Sequence, residues 1–206
     1  MIQTMAAAAG YSQNRRSQPA SEELTPMPDP IPSTAPRCVL NHLTGKPYTL
    51  RPLDGSWTPA LLEIVRVCNE PRVYELFRRK LSGVPYGLEN AGLFVAWAER
   101  GWQFGTHFVL ALLSEPGCVV GALDIKSPER DCAEIGYWLS AYHRGLMTNA
   151  VVELQSIARE MGYRGLYARV RPENLPSAAV LLRAGFTETQ PVEQAGQAFR
   201  NFLVRL

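Results

Sequence analysis

The segment from 107 to 161 constrains the fold more than any other part of the chain, because its hydrophobic period changes from two residues to about 3.6 within it. Turn-forming residues separate three runs rich in strand-forming residues, which predict antiparallel strands at 107–113, 118–126 and 132–140. From Met147 to Met161 the apolar residues then fall on one helical face, and Gly162 stands where a helix C-cap is expected. We therefore expect a sheet covered by helices.

The remaining elements alternate in the same way. A strand is predicted at Tyr48–Pro52, and Thr58 with Pro59 predicts the start of a first helix that buries Leu61, Leu62, Val65 and Cys68. The further predictions are a helix from Pro71, a helix over 88–100, a strand at 165–171, a short helix from about Ser177 to Ala184, and strands at 186–192 and 198–206. The order β, α, α, α, β, β, β, α, β, α, β, β predicts a mixed α/β (α+β) domain of three layers.

The first 36 residues differ in composition from the rest. They hold six of the sixteen prolines and almost no large apolar side chains. Such a segment buries too little apolar surface to offset the entropy lost on ordering. We predict a flexible tail over residues 1–36 and one folded domain over 37–206.

Composition and charge exclude several kinds of partner. The net charge is +2 with scattered Lys and Arg, so we expect no nucleic-acid groove, and no apolar run suggests a membrane partner. The four cysteines form no CxxC pair and the three histidines are dispersed, so no metal site is predicted. No signal-peptide pattern opens the chain, and we expect a protein of the reducing cytoplasm.

Three motifs follow one another in the second half of the chain: EIGYWL at 134–139, PENLPS at 172–177 and AGF at 184–186. In this order and spacing they resemble the GCN5-related N-acetyltransferase (GNAT) superfamily, and most of all its RimJ/RimL-like ribosomal-protein alanine acetyltransferase branch. Element order extends the resemblance to about 46–206. It implies a GNAT-like three-layer fold whose central sheet is mixed, mostly antiparallel, and splayed between the fourth and fifth predicted strands, 132–140 and 165–171.

The resemblance implies direct transfer of an acetyl group from acetyl-CoA, without a metal, to a primary amine. A protein or peptide N-terminus is the first acceptor expected, and a small amine stays open, as does a homodimer. The alternative is a catalytically silent domain that binds CoA weakly or serves as a protein-interaction module.

A cofactor site is implied along the fourth strand, in the loop after it, and at the start of two helices. Backbone groups of the strand would pair with pantetheine, and the loop and helix dipole would hold the pyrophosphate, with Gly145 allowing close approach and His143 or Arg144 adding charge. The implied cofactor-binding residues are Tyr137, Trp138, Leu139, Ser140, His143, Arg144, Gly145, Leu146, Met147, Thr148, Asn174 and Ser177.

Catalytic roles also follow from the resemblance. Ser177 would return a proton to the leaving thiolate, the N–H of Leu139 would bind the oxyanion, and Glu134 or Glu193 would be the base. On spacing alone, Asn174 and Ser177 also suit a helix N-cap and its first turn, Glu134 suits a solvated strand residue and Glu193 the surface.

The loop departs from the family pattern [Q/R]-x-x-G-x-[G/A]. The matching positions read Tyr142-His-Arg-Gly145-Leu-Met147, and the segment before Gly145 is about two residues short. We expect the larger Met147 to crowd the phosphates and to weaken cofactor binding.

Removal of residues 1–36 is expected to change the thermal midpoint by no more than a few degrees, because this tail lacks core-forming side chains. Thermal unfolding of the full and shortened chains, followed by circular dichroism, measures the difference. A larger drop would show that the tail packs on the domain.

Overall fold

The structure is a computed structural model that describes residues 35–115 and 117–206. The tail was predicted for residues 1–36, and its residues 1–34 lie outside the described residues. The division of the chain into a tail and a domain therefore stays a prediction. In the described ranges, no helix is long and apolar enough to cross a bilayer.

One sheet with helices on both faces organises the described residues. The strands are β1 (Arg37–Leu40), β2 (Pro47–Pro52), β3 (Phe108–Leu113), β4 (Val119–Ile125), β5 (Ala133–Leu139), β6 (Gly165–Val170), β7 (Thr187–Gln194) and β8 (Gln197–Arg205). The helices are α1 (Leu61–Cys68), α2 (Pro71–Tyr74), α3 (Arg78–Leu81), α4 (Leu88–Phe104), α5 (Met147–Glu160) and α6 (Leu175–Arg183). The strand order is β1-β2-β3-β4-β5-β6-β8-β7, and only β5 and β6 run parallel. The predicted mixed, mostly antiparallel three-layer fold is confirmed.

Two hydrophobic cores lie on the two faces of the sheet. On the α5 face, α5 and α6 pack on alternate strand residues such as Leu123, Ile135 and Leu166. On the α4 face, α1 and α4 pack on the intervening residues such as Ala122 and Trp138. Because side chains alternate along a strand, this division assigns every residue of β4, β5 and β6 to one face.

The sheet opens between β5 and β6. These strands pair only at Ala133 with Leu166 and at Glu134 with Tyr167, whereas β5 stays paired with β4 as far as Leu139. We call this opening the fork. It lies between the fourth and fifth predicted strands, as the resemblance implied.

The predicted start of the first helix is wrong. The helix α1 begins at Leu61 with Ala60 as its N-cap, and it buries Ile64, Val67 and Cys68 while Leu62 is 70 % exposed. Its sequence LLEIVRVC carries two overlapping apolar stripes, and packing against α4 selects the second. Sequence periodicity alone does not distinguish the two.

Three other elements differ from the predictions. The helix predicted from Pro71 is divided into α2 and α3, the helix at 88–100 continues to Phe104, and α6 begins at Leu175 because Asn174 caps it. The edge strand β1 was missed. Its Arg37 guanidinium binds Glu153 of α5 at 3.0 Å and also Glu160, so a contact far along the chain fixes it.

Leu154→Ala is expected to lower the free energy of unfolding by about 2–5 kcal/mol, because Leu154 is fully buried in α5. Leu62→Ala is the matched control, since the same atoms are removed from a side chain that is 70 % exposed. Urea denaturation measures both variants, and equal losses would contradict the burial of Leu154.

Candidate functional site

The fork leaves backbone groups of β5 without a strand partner. The carbonyl of Glu134 accepts from Lys126 N at 2.9 Å, and Ser140 N donates to Val120 O at 2.8 Å, so these residues face β4. Because backbone direction alternates along a strand, Tyr137 and Leu139 direct their N–H and C=O groups into the fork. Trp138 faces β4 with its backbone and packs its side chain against Phe94. The edge available for an added strand-like ligand is therefore that of Tyr137 and Leu139, not Trp138 and Ser140.

The loop after β5 is held by Glu70, which lies between α1 and α2. Its carboxylate accepts from Ser140 Oγ and from Ala141 N, both at 2.7 Å. A 3-10 turn, Ala141–His143, then leads to α5. The loop is thus fixed from the α4 face of the sheet.

The loop and first turn of α5 present free donors. Within the described residues, no acceptor pairs with the backbone N–H groups of Arg144, Gly145, Met147, Thr148 and Asn149. The first N–H groups of a helix have no intrahelical partner and carry a positive partial charge. This cluster fits a pyrophosphate.

Met147 does not crowd that cluster, so the expectation from the sequence is corrected. Leu146 and Met147 are 0 % and 4 % exposed, and both side chains belong to the core on the α5 face. Only the backbone of Met147 is directed to the site. Thr148 is also buried, and its hydroxyl accepts from Arg183 Nε at 3.3 Å.

Gly145 is needed for close approach of the β1–β2 turn. Its φ is +93°, and an added Cβ would lie 2.6 Å from Asn41 Oδ1 and 2.7 Å from Leu43 Cγ. Asn41 Nδ2 donates to Arg144 O at 2.9 Å, and His42 N donates to Gly145 O at 3.2 Å. The loop motif indicated phosphate contact for this glycine, but it carries no sign of the β1–β2 turn that packs on it.

His143 and Arg144 differ in what they offer an anion. The Tyr48 hydroxyl lies 2.8 Å from His143 Nδ1. Burial, together with nearby Arg66, lowers the pKa of His143, so the ring is neutral at pH 7. Arg144 is exposed, and its guanidinium has no partner among the described residues. The positive charge at this loop is therefore that of Arg144.

Asn174 and Ser177 meet β5 across the α5 face. Asn174 Oδ1 accepts from Ser177 N at 3.3 Å, which confirms the N-cap interpretation. Ser177 Oγ lies 2.8 Å from the Tyr137 hydroxyl, which also donates to Ser177 O at 3.0 Å. Burial raises the pKa of Tyr137, so the phenol keeps its proton. The two hydroxyls form a hydrogen-bonded pair beside the fork.

Glu134 lies at the point where β5 leaves β6. It is 7 % exposed, so the interpretation as a solvated residue is wrong. Lys126 Nζ binds it at 2.7 Å, and Arg169 binds its other oxygen. Burial alone would raise its pKa, but Lys126 and Arg169 outweigh burial and lower it. A carboxylate so held is a weak base.

Two open cavities lie near the carboxyl end of β6 and across the β6–β8–β7 surface. One of about 520 Å³ is lined by Glu75, Arg78, Arg79, Ser82, Gly83 and Arg171. The other, of about 490 Å³, is lined by Cys132, Tyr167, Arg169, Val192, Glu193, Gln194, Asn201 and Leu203. Glu193 is exposed in the second cavity. Over the described ranges, no group of His, Cys, Asp and Glu is arranged to hold a metal ion.

Comparison with known families gives a match over most of the described domain. Residues 48–187 match the family model of the acetyltransferase (GNAT) domain. No curated protein sequence matches the chain.

Solved structures share the fold at low identity. RimJ from Mycobacterium smegmatis in complex with CoA-disulfide is 19 % identical, with a TM-score of 0.62 over 83 % of this chain and 86 % of that one. The ribosomal L7/L12 α-N-protein acetyltransferase RimL with coenzyme A is 21 % identical, with a TM-score of 0.63 over 82 % and 98 %. The microcin C7 self-immunity acetyltransferase MccE, in complex with acetyl-CoA and AMP, is 19 % identical, with a TM-score of 0.61 over 77 % and 92 %.

Gly145→Ala is expected to lower the free energy of unfolding by more than Gly162→Ala. Both glycines have positive φ, +93° and +79°, but only Gly145 has atoms within 4 Å of an added Cβ. The control therefore measures backbone strain alone, about 1 kcal/mol, and the excess at Gly145 measures displacement of the β1–β2 turn. Chemical denaturation compares the variants, and equal losses would show that the turn does not pack on Gly145.

Proposed function

Because the chain belongs to the acetyltransferase (GNAT) domain family, we propose that it moves an acetyl group from acetyl-CoA to a primary amine by direct transfer. The observation that supports this most strongly is the combination of the fork with the free N–H cluster at the start of α5. The two features lie at opposite ends of the short segment from 137 to 149, so one extended thioester can use both.

The proposed binding mode assigns a part of the cofactor to each feature. Pantetheine amides pair with the backbone of Tyr137 and Leu139 as an added strand would. The pyrophosphate accepts from the N–H groups of Gly145, Met147 and Thr148, and Arg144 adds a charge-assisted contact. Leu146, His143 and the side chain of Met147 act by shaping the loop.

The chemistry proposed needs no covalent enzyme intermediate. Acetyl-CoA supplies a thioester carbonyl that a neutral amine can attack. The N–H of Leu139, unpaired at the fork, is placed to donate to the oxyanion that develops. Ser177, hydrogen-bonded to the protonated Tyr137, returns a proton to the departing sulfur.

We further propose a protein or peptide N-terminus as the acceptor and the cytoplasm as the location. RimL, which shares the fold, is described as an α-N-protein acetyltransferase of a ribosomal protein. The cavities beside the fork are open at the surface, and an extended chain end can enter them more readily than it could a closed pocket. The silent-domain alternative is weakened, because the buried Met147 leaves the N–H cluster free.

Calorimetric titration with acetyl-CoA, followed by a peptide and amine screen with thiol detection, tests the proposal. We expect saturable binding and CoA release that depends on an amine. Binding without release to any amine would favour the silent domain, and absence of binding would overturn the proposal.

Ser177→Ala is expected to lower kcat by roughly 10- to 1000-fold with little change in the acetyl-CoA dissociation constant, because a proton donor acts in the transition state. Asn174→Ala is the control for the helix cap, which should cost about 1 kcal/mol of stability. Unchanged kcat with a lowered thermal midpoint for Ser177→Ala would leave Ser177 with a structural role only.

A further inference from the structure

Asp124 is a carboxylate for which the fold supplies no hydrogen bond at one oxygen. Its Oδ1 is buried and, in the described part of the chain, has no hydrogen-bond partner. Leaving such an atom unpaired costs free energy, so a native structure retains it for a reason. The position of this atom suggests one.

Asp124 reaches over β5 toward the fork. It pairs in register with Gly136, and its Oδ1 lies 2.5 Å from the place where a Cβ of residue 136 would stand. Gly136 is two residues beyond Glu134, the last β5 residue that pairs with β6. The carboxylate therefore takes the space of a missing side chain at the edge of the opening, together with Lys126, whose Cε lies 3.0 Å from the same place.

The face on which Asp124 lies also matters. Asp124 alternates with Leu123 and Ile125 of the core on the α5 face, so its side chain lies on the α4 face, as that of Glu134 does. Tyr137 and Ser177 lie on the α5 face, which is that of the α5 N-terminus. A cofactor held from the α5 face leaves the α4 face of the fork for the acceptor.

Among the described residues, no ion pair joins Asp124 to a cation, although Lys126 lies close enough to lower its pKa. Lys126 is bound to Glu134, as is Arg169. The His107 ring shares hydrogen bonds with the Thr106 hydroxyl and with Trp97 O. Burial lowers the pKa of His107, so the ring is neutral at pH 7. Burial raises the pKa of Asp124. Lys126 and a backbone hydrogen bond with Gly136 oppose this shift, and Glu134 reinforces it. A carboxylate of raised pKa is a better base than the ion-paired Glu134.

We propose that Asp124 binds the ammonium group of the acceptor over Gly136 and is the base that removes its proton. This inference rests on the proposed function. The N–H bond breaks and its proton passes to the Asp124 carboxylate; the amine lone pair then forms the N–C bond at the acetyl carbonyl. The C–S bond breaks as the carbonyl reforms, the thiolate takes a proton from Ser177, and the remaining proton of the nitrogen leaves to solvent. Ser177 recovers a proton from solvent through the Tyr137 hydroxyl, and Asp124 releases the proton it took, so one proton is lost for each acetyl group transferred.

Asp124→Asn tests the assignment, because it keeps the shape and removes the base. At pH 6.5 we expect kcat/KM to fall at least 100-fold, with the acetyl-CoA dissociation constant and the thermal midpoint unchanged. As the pH rises above about 8, an N-terminal amine loses its proton in solution, and the deficit should shrink to less than about 10-fold. A purely structural role would not give this pH dependence.

Two further variants complete the experiment. Glu129 is an exposed acid in the connection between β4 and β5. The variant Glu129→Gln is the matched control and should keep wild-type kcat/KM. Gly136→Ala places a Cβ 2.5 Å from Asp124 Oδ1 and should lower kcat/KM more at pH 6.5 than at pH 9.

The outcomes separate this inference from the function on which it rests. If the wild type turns over an amine, two results would overturn the role of Asp124 and leave the acetyltransfer intact. One is a kcat/KM for Asp124→Asn within threefold of the wild-type value at pH 6.5. The other is a deficit in kcat/KM that does not change with pH. Acetyl-CoA binding without turnover of any amine by the wild type would overturn the proposed function and this assignment with it.

Discussion

The early end of pairing between β5 and β6 is the constraint on which the site depends. Two residue pairs join these parallel strands before they separate, and Glu134, held by Lys126 and Arg169, lies at the point of separation. The separation exposes backbone in the middle of a sheet, where a strand normally has neighbours on both sides. The polar backbone groups of Tyr137, of Leu139 and of the start of α5, which have no partner among the described residues, thus lie along one continuous path.

The loop between β5 and α5 takes its shape from distant parts of the chain. Asn41 and His42 bind its second half, Tyr48 binds His143, and Glu70 binds its beginning. These contacts fix a short loop in which only one glycine of the family pattern remains. They also turn Met147 into the core, so the donors stay accessible although the side chain is large.

Periodicity predicted the long helix, the three-stranded run before it and the mixed sheet, because these patterns are local. It did not predict the register of α1, whose two apolar stripes are equivalent until α4 selects one, nor β1, which depends on Arg37 reaching α5. The motifs indicated Leu139, Asn174 and Ser177 as site residues, and these roles stay predictions. They did not indicate Asn41, Glu70 or Asp124, since each acts across more than 10 residues of sequence and carries no spacing signal.

Glu70 connects the loop after β5 with the segment that leads to the arginine-lined cavity. The Glu70 carboxylate binds the beginning of the loop after β5. Glu70 is also the N-cap of α2, and Glu75, at the other end of α2, lines the arginine-lined cavity. Under the proposed function, an acceptor that displaces α2 would therefore move the loop that is proposed to hold the cofactor. Any such effect is reciprocal, so the two ligands would alter one another's affinity by the same factor.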